Sequence, residues 1–457
     1  MDFRLQAAIF VGKLTAGLIR KLGKSGATAA PGLYALNIDP NLVKKLAGRI
    51  KLYSIVISGT NGKTTTARML ASIFEEARLK VIHNRAGSNL LRGIASELID
   101  KSSHLEKTDI AIWETDEAVM PIAVSQTDPK VLVISNLFRD QLDRYGEIDK
   151  LRKIWTKTTS KLDKQKILII NSDDPQVANL GNKTSAKVYY FGITDQSTGQ
   201  QSIPPVTDAK FCPNCQTPLV YQAVYVYHMG KYQCIKCAFK HPKATVTTDR
   251  ITKISPQLAQ FELKTPKGSA KIDLKVGGLY NIYNALAAAT TSQSIGISLD
   301  TIKKGLAKFK AAFGRIEKFN INGKVIYLYL VKNPAGFNAV INTLFTEKDK
   351  KDVLIAINDL IADGTDVSWL WDVDFSKMHA NVNKIFLTGI RADDMALRLK
   401  YDRVDNISLI DNNFQAAIIK GVKNCSKKLY ILPTYTAMLE IRKILNQMGH
   451  GVKFWDD

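Results

Sequence analysis

The residues Gly59-Thr60-Asn61-Gly62-Lys63-Thr64-Thr65 form the stretch of this 457-residue chain best suited to hold a polyphosphate. Glycines let backbone N–H groups close around an anion, the lysine adds a mobile positive charge, and the Thr64 hydroxyl can reach Mg²⁺. Gly59 stands only three residues before Gly62, closer than in the common phosphate-loop pattern. Taken alone, the stretch also fits a tight turn with a chance lysine. Its flanks argue otherwise: an apolar run at 55–57 reads as a buried strand, and Met69, Leu70 and Phe74 follow at helical spacing.

Four further groups of residues could do chemistry. Glu114, Asp116 and Glu117 end an apolar run at 109–113, and one of them is expected to hold an Mg²⁺ that bridges ATP phosphates; a solvated turn is the alternative. Asp140 and Asp143 follow another strand and either support that metal from behind or cap a helix. Cys212-Pro-Asn-Cys215 and Cys234-Ile-Lys-Cys237 have eighteen residues between the pairs, the spacing of a four-thiolate zinc ribbon. The zinc would be structural and would fold an insert with little core of its own, while two pairs at this spacing argue against redox chemistry. Cys425 stands alone and reads as a small buried hydrophobe.

Asn281 and Asn284, three apart, share a helix face where their amides suit an adenine edge; Asn near a helix start is otherwise a cap. Arg315, in Phe313-Gly-Arg-Ile-Glu317, either reaches the γ-phosphate across a cleft or makes a surface ion pair. Asp359, Asp363, Asp366 and Asp372 crowd a Gly- and Trp-bearing loop directly after a strand, where function is expected because mutual repulsion costs stability.

These groups need elements to position them. Strand-like runs at 80–83, 109–114, 131–135 and 167–171 alternate with helical patterns, which predicts a mostly parallel α/β sheet with the polar residues at its carboxyl ends. The cysteine-bearing segment and a β-rich stretch at 245–276 interrupt the pattern, and a helix at 280–294 follows. A second, Rossmann-like α/β unit has strands near 325–330, 353–357, 384–387, 407–410 and 429–432. The expected units are an N-terminal helical segment 1–49, a central ATP-binding unit 50–312 with a ribbon insert at about 208–244, and a C-terminal unit 313–457. Within the first, Phe3, Leu5, Ile9, Phe10, Leu14 and Leu18 recur at helical spacing, a loop covers 23–32, and a short helix lies near 40–46.

The chain is 45% hydrophobic and 23% charged, ordinary for a globular protein, with a formal net charge of +22. That excess is either a lysine-rich solvated surface or the mark of an anionic partner: nucleic acid, a membrane surface or a phosphorylated substrate. Residues 216–233 between the cysteine pairs carry one lysine, Lys231, and no arginine, so no nucleic-acid partner is expected. No apolar run is long enough to span a bilayer and the N-terminus does not read as a signal peptide, which places the protein in the cytoplasm. The first helix, with Lys13, Arg20, Lys21 and Lys24 beside its apolar residues, either packs on its own domain or rests on the inner face of an anionic membrane.

Together, Gly59–Thr65, Glu114, the Asn281/Asn284 helix and Gly314-Arg315 resemble, in order, the motifs of the Mur ligase superfamily. The similarity covers nearly the whole chain. It is sharpest to the MurT family, the synthetase subunits of lipid II isoglutaminyl synthase, through Asn136–Glu147, the four cysteines, Lys332–Gly336 and Ala362–Trp369. The resemblance implies an ATP-dependent carbon–nitrogen ligase. It would phosphorylate the α-carboxylate of D-glutamate in the lipid II stem peptide and accept ammonia from a separate GatD-like glutamine amidotransferase subunit, giving D-isoglutamine. It also implies that Gly59, Thr60, Asn61, Gly62, Lys63, Thr64, Thr65, Asn281, Asn284 and Arg315 bind ATP, that Thr64 and Glu114 hold Mg²⁺, and that Asp366 completes the partner's Cys-His pair.

Three departures stand out. About fifty residues before the loop cannot build the uridine-nucleotide domain of amino-acid-adding Mur ligases, which agrees with a lipid-linked substrate. Gln141 stands where those ligases have a histidine, and neither Lys153 nor Lys157 matches their carbamylated lysine, which leaves a second Mg²⁺ site without its ligands. The competing readings are a folylpolyglutamate synthase-like ligase, which explains neither the ribbon nor the 358–372 segment, and a zinc-ribbon nucleic-acid-binding NTPase.

Overall fold

Alternate residues of the central strands face two different helix layers, and this parity builds the first unit. The computed structural model describes residues 2–21, 29–84, 88–139, 148–200, 203, 207–309, 316–345 and 349–448. Its larger sheet contains β1 (Tyr53–Ser58), β2 (Val81–His83), β3 (Ile110–Glu114), β4 (Val131–Ile134), β5 (Ile167–Asn171), β6 (Lys187–Ile193), β9 (Val246–Ile254), β10 (Ala259–Thr265) and β11 (Gly268–Leu274). The order is β11-β10-β9-β6-β5-β4-β1-β3-β2. The strands from β2 to β9 pair in parallel, and β9, β10 and β11 form an antiparallel extension.

Ile55, Ile57, Ile112, Val133 and Ile169 pack with helices Lys63–Glu76, Leu279–Ser294 and Leu299–Lys308. Val56, Trp113, Leu132 and Leu168 point to the other face, against helices Leu91–Asp100, Met120–Thr127 and Ile148–Thr159. Each such side chain contributes about 1.5–3 kcal/mol by leaving water, and a one-residue slip would exchange the two faces, so the register is firmly specified. The chain crosses from one side of β1 to the other between β3 and β4. The loops after β1, β3 and β4 therefore meet at this switch point, where parallel sheets place ligands.

The second unit has the order β12-β13-β17-β14-β15-β16. Its members are β12 (Ile316–Ile321), β13 (Lys324–Tyr329), β14 (Lys351–Ala356), β15 (Val382–Thr388), β16 (Ile407–Ile410) and β17 (Lys428–Pro433). All pair in parallel except the β12–β13 hairpin. Cys425 is buried in the core beneath this sheet. The cysteine-bearing insert forms a two-stranded antiparallel sheet, β7 (Leu219–Val226) with β8 (Met229–Cys234).

The sequence reading differs from the structure in three places. Pro31 and Gly32 fall in the first turn of a helix, Ala30–Ile38, rather than close a loop: proline in the first turn lacks an N–H that would be orphaned anyway. β12 is an additional strand. The apolar residues of helix Phe3–Lys21 do not share one face: Leu5 and Ile9 are buried, whereas Phe3, Phe10, Leu14 and Leu18 are exposed.

Candidate active site

The phosphate loop is built from two conformational exceptions. Gly59 has φ +139°, and a Cβ there would lie 2.1 Å from Ser135 Oγ. Gly62 has φ +89°, and its Cβ would lie 2.1 Å from Asn284 Oδ1. Only glycine fits either place. Gly62 then leads into helix Lys63–Glu76, whose N-terminal end and dipole face the loop.

Asn136, in the segment that follows β4, grips this loop. Its Oδ1 accepts from Asn61 N at 2.8 Å and its Nδ2 donates to Asn61 O at 2.9 Å. Thr60 Oγ1 donates to Phe138 O and accepts from Phe138 N at 2.9 Å. On the other flank, Asn84 brackets Glu114, donating to its carbonyl and accepting from its N–H, each at 2.9 Å.

Glu114 Oε1 accepts from Thr64 Oγ1 at 2.7 Å. Adjacent ligands of an octahedral Mg²⁺ at about 2.0–2.1 Å lie about 2.9 Å apart, so this hydroxyl–carboxylate pair fits such an ion. Lys63 Nζ is buried and donates to Gly59 O at 2.7 Å and to Glu117 Oε2 at 3.2 Å, with Asp116 Oδ1 at 3.8 Å. Of the three candidate acids, Glu114 therefore faces Thr64, while Asp116 and Glu117 face the lysine.

Asn284 Nδ2 donates to Asn281 Oδ1 at 3.2 Å, and Asn284 Oδ1 accepts from Thr66 Oγ1 at 3.3 Å. Both asparagines line a cavity of about 350 Å³ between the two units, together with Asn61, Gly62, Tyr280, Gly336 and Thr343. Across it, Asn333 caps helix Pro334–Leu344 through Gly336 N, and its side-chain amide pairs with that of Asn61 at 3.2 Å. Burial pushes the Tyr280 hydroxyl well above its ordinary pKa, keeping it neutral beside this cavity. Arg315, Asp140, Asp143 and Gln141 lie outside the described residues. Lys153 and Lys157 are exposed on helix Ile148–Thr159.

The four cysteines converge, with their sulfurs all within 4.8 Å of one another. Cys212 and Cys237 are 3.6 Å apart, and Cys215 and Cys234 3.5 Å. A tetrahedron of sulfurs around Zn²⁺ at about 2.3 Å has edges of about 3.8 Å, so the set fits zinc with small adjustment. The N–H groups of Lys236 and Cys237 both donate to Cys234 Sγ at 3.4 Å.

The insert is seated on the segment after β5. Tyr232 OH donates to Ser172 O at 3.0 Å, and His241 Nε2 lies 2.8 Å from Asp173 Oδ1. Next to it, Asp174 Oδ2 accepts from Leu137 N at 2.8 Å, beside the Asn136 that grips the phosphate loop. The segment 172–174 thus carries hydrogen bonds to the ribbon on one side and to the residue after Asn136 on the other.

In the acidic loop after β14, three of the four aspartates have structural partners that relieve their repulsion. Asp359 pairs with Arg391 at 2.6 Å. Asp363 is buried and accepts from Thr436 N at 2.8 Å. Asp372 pairs at 3.3 Å with Arg139, which also pairs with Asp208. Burial raises the carboxyl pKa of both Asp363 and Asp372. Asp366 is exposed and accepts the N–H of Ser368 at 2.8 Å.

Sequence reasoning assigned no role to Asn84, Asn136, Asn333 or Arg139. Asn84 and Asn136 stand at the ends of β2 and β4, where a position just after a strand was the signal available, whereas Asn333 and Arg139 lie deeper in the loops after β13 and β4.

A nine-stranded, largely parallel sheet with this loop at its switch point, joined across a cleft to a second parallel sheet, defines the Mur ligase fold. Residues 57–218 match the Mur ligase middle domain. A pseudomurein peptide ligase type C from Methanothermus fervidus is similar in structure, with TM-score 0.69 and 24% identity over 90% of this chain and 84% of that one. Residues 330–438 match the MurT ligase C-terminal domain. The chain is 34% identical over 449 residues to the MurT subunit of the glutamine-hydrolyzing lipid II isoglutaminyl synthase of Staphylococcus aureus strain COL, spanning 98% of this chain and 99% of the relative. It is 31% identical to the corresponding Streptococcus pneumoniae subunit, over 97% and 98%. The chain therefore belongs to the MurT family and is an ATP-dependent ligase, and that membership implies ATP and Mg²⁺.

Proposed function

We propose that this protein amidates the α-carboxylate of D-glutamate in the lipid II stem peptide, giving D-isoglutamine for peptidoglycan synthesis. The observation that carries the reading is the Thr64–Glu114 pair at 2.7 Å, beside a glycine-framed loop that opens on the interdomain cavity. A carboxylate oxygen attacks the γ-phosphorus of ATP; the bond to the β-phosphate oxygen breaks and ADP leaves. Ammonia then attacks the carbonyl of the acyl phosphate, the bond from that carbon to the phosphate oxygen breaks, and inorganic phosphate leaves with the proton that ammonia gives up. The gain comes mainly from positioning and charge neutralisation. Thr64 and Glu114 would hold the Mg²⁺, which would neutralise phosphate charge. Lys63 and the N–H groups of residues 59–65 hold the phosphates, Asn281 and Asn284 receive the adenine end, and Arg315 approaches the γ-phosphate. Cys212, Cys215, Cys234 and Cys237 would hold a structural Zn²⁺.

Ammonia comes from a GatD-like glutaminase bound as a heterodimer to the C-terminal unit. Asp366, the exposed aspartate of its loop, orients and charges the histidine of the partner's Cys-His pair. The protein works in the cytoplasm at the inner face of the membrane that carries lipid II. No described helix is long and apolar enough to cross a membrane. The working units are 1–49, 50–312 with the ribbon at about 208–244, and 313–457. In the test, Lys63→Ala is assayed with ATP and ammonium by mass analysis of the stem peptide. Loss of amidation is expected; wild-type turnover would sink the phosphate-loop role.

A further inference from the structure

We infer that helix Phe3–Lys21 is a membrane-docking element whose solvent-facing ridge seats in the headgroup region of an anionic bilayer. The inference rests on the lipid-linked substrate proposed above but is tested apart from it. At 100° per residue, Phe3, Ala7, Phe10, Leu14 and Leu18 form one stripe. Its large members are strongly exposed: Phe3 80%, Phe10 67%, Leu14 53% and Leu18 54%. A solvated helix normally shows its polar face to water, and contiguous exposed apolar patches mark binding surfaces.

The helix cannot turn this ridge inward, because its opposite face is fixed along its length. Leu5, Ala8, Ile9 and Gly12 are buried. A Cβ on Gly12 would meet Ile99 Cδ1 at 2.8 Å, so the helix lies directly on helix Leu91–Asp100. Arg4 Nε donates to Ile38 O at 2.6 Å, Asp2 pairs with Lys45 at 2.6 Å, and Arg20 pairs with Asp100 at 2.9 Å.

Charge selects the occupant. The helix contains no acidic residue, Lys13 flanks the ridge and Lys21 ends it. Residues 1–50 carry eight basic side chains against two acidic. An apolar ridge flanked by lysines suits anionic headgroups, which attract basic residues by about 1 kcal/mol each, whereas two copies of this face would bring like charges together. The helix is also close to the chemistry. Helix Leu91–Asp100, beneath it, begins just after Asn89, whose Nδ2 donates to Asp116 Oδ1 at 3.3 Å in the loop that follows Glu114.

The test is co-sedimentation of the full chain with vesicles of phosphatidylglycerol and phosphatidylcholine, and with vesicles of phosphatidylcholine alone. Wild type should bind the anionic vesicles and lose binding as salt rises. Phe10→Gln with Leu14→Gln, at exposed positions that leave the melting temperature unchanged, should weaken binding roughly tenfold or more. Lys13→Glu with Lys21→Glu should remove the preference for anionic lipid. Ammonium-driven amidation of a water-soluble stem peptide should be the same in all three proteins; its absence from wild type would count against the proposed reaction, not against docking. Equal sedimentation of wild type and the Phe10/Leu14 variant, equal binding to neutral vesicles, or a wild-type dimer that this variant makes monomeric would overturn the inference.

Discussion

Replacing Asn136 by alanine should weaken ATP binding without unfolding the protein. The side chain is buried and its two hydrogen bonds both go to the backbone of Asn61. After truncation, Asn61 O keeps the Ser135 hydroxyl at 3.1 Å, but Asn61 N–H loses the acceptor that held it at 2.8 Å. An unsatisfied buried amide costs about 1–3 kcal/mol, so the free loop leaves this conformation. ATP binding must then restore it, and the same 1–3 kcal/mol becomes about a 5- to 150-fold loss of affinity. The assay is calorimetric titration with a non-hydrolysable ATP analogue, with ammonium-driven turnover at varied ATP alongside. Asn333→Ala is the control: it removes the side-chain pair with Asn61 but leaves the Asn61 backbone bonded, so it should cost clearly less. ATP affinity within twofold of wild type in Asn136→Ala would refute the loop-holding argument.

Gly62→Ala should abolish ATP-dependent turnover, because its Cβ would fall 2.1 Å from Asn284 Oδ1 at a φ of +89°; wild-type kinetics would show that the loop tolerates another shape. Glu114→Gln should keep the Thr64 hydrogen bond but raise the Mg²⁺ concentration for half-maximal activity roughly tenfold or more, since a neutral amide is a poor Mg²⁺ ligand; an unchanged Mg²⁺ dependence would contradict its role. Elemental analysis should find one zinc per chain, lost in Cys234→Ser. The same change should weaken ATP binding severalfold through the Tyr232–Ser172 and Asp174–Leu137 bonds. Zinc retained by the variant would contradict the ligand set.

Much of this architecture was legible because the parallel strands write themselves as short apolar runs. Ile55–Ile57 and Val131–Ile134 are buried on both faces and need no pairing partner to be recognised. The phosphate loop, the cysteines and the Asn281/Asn284 helix were readable because spacing alone brings their residues together. The β12–β13 hairpin was missed although Asn322-Gly323, both at positive φ, carries a hairpin-turn signature. The grip of Asn136 on Asn61 was not legible, because it joins residues 75 apart through a crossover. Likewise, no periodicity separates Leu5 from Phe10: both are apolar at helical spacing, and only the neighbouring helix decides which is covered. In the acidic loop, sequence gave four equal aspartates, and the partners Arg391, Thr436 and Arg139 lie far along the chain.

The most direct test is the amide-donor dependence of Asp366→Asn. Wild type and variant are each combined with the partner glutaminase, and conversion of the stem-peptide carboxylate to carboxamide is followed by mass analysis with ATP and either glutamine or ammonium. The variant should lose glutamine-dependent amidation and keep the ammonium-driven reaction. Glutamine-dependent amidation at the wild-type rate, or loss of both reactions together, would contradict the role of Asp366.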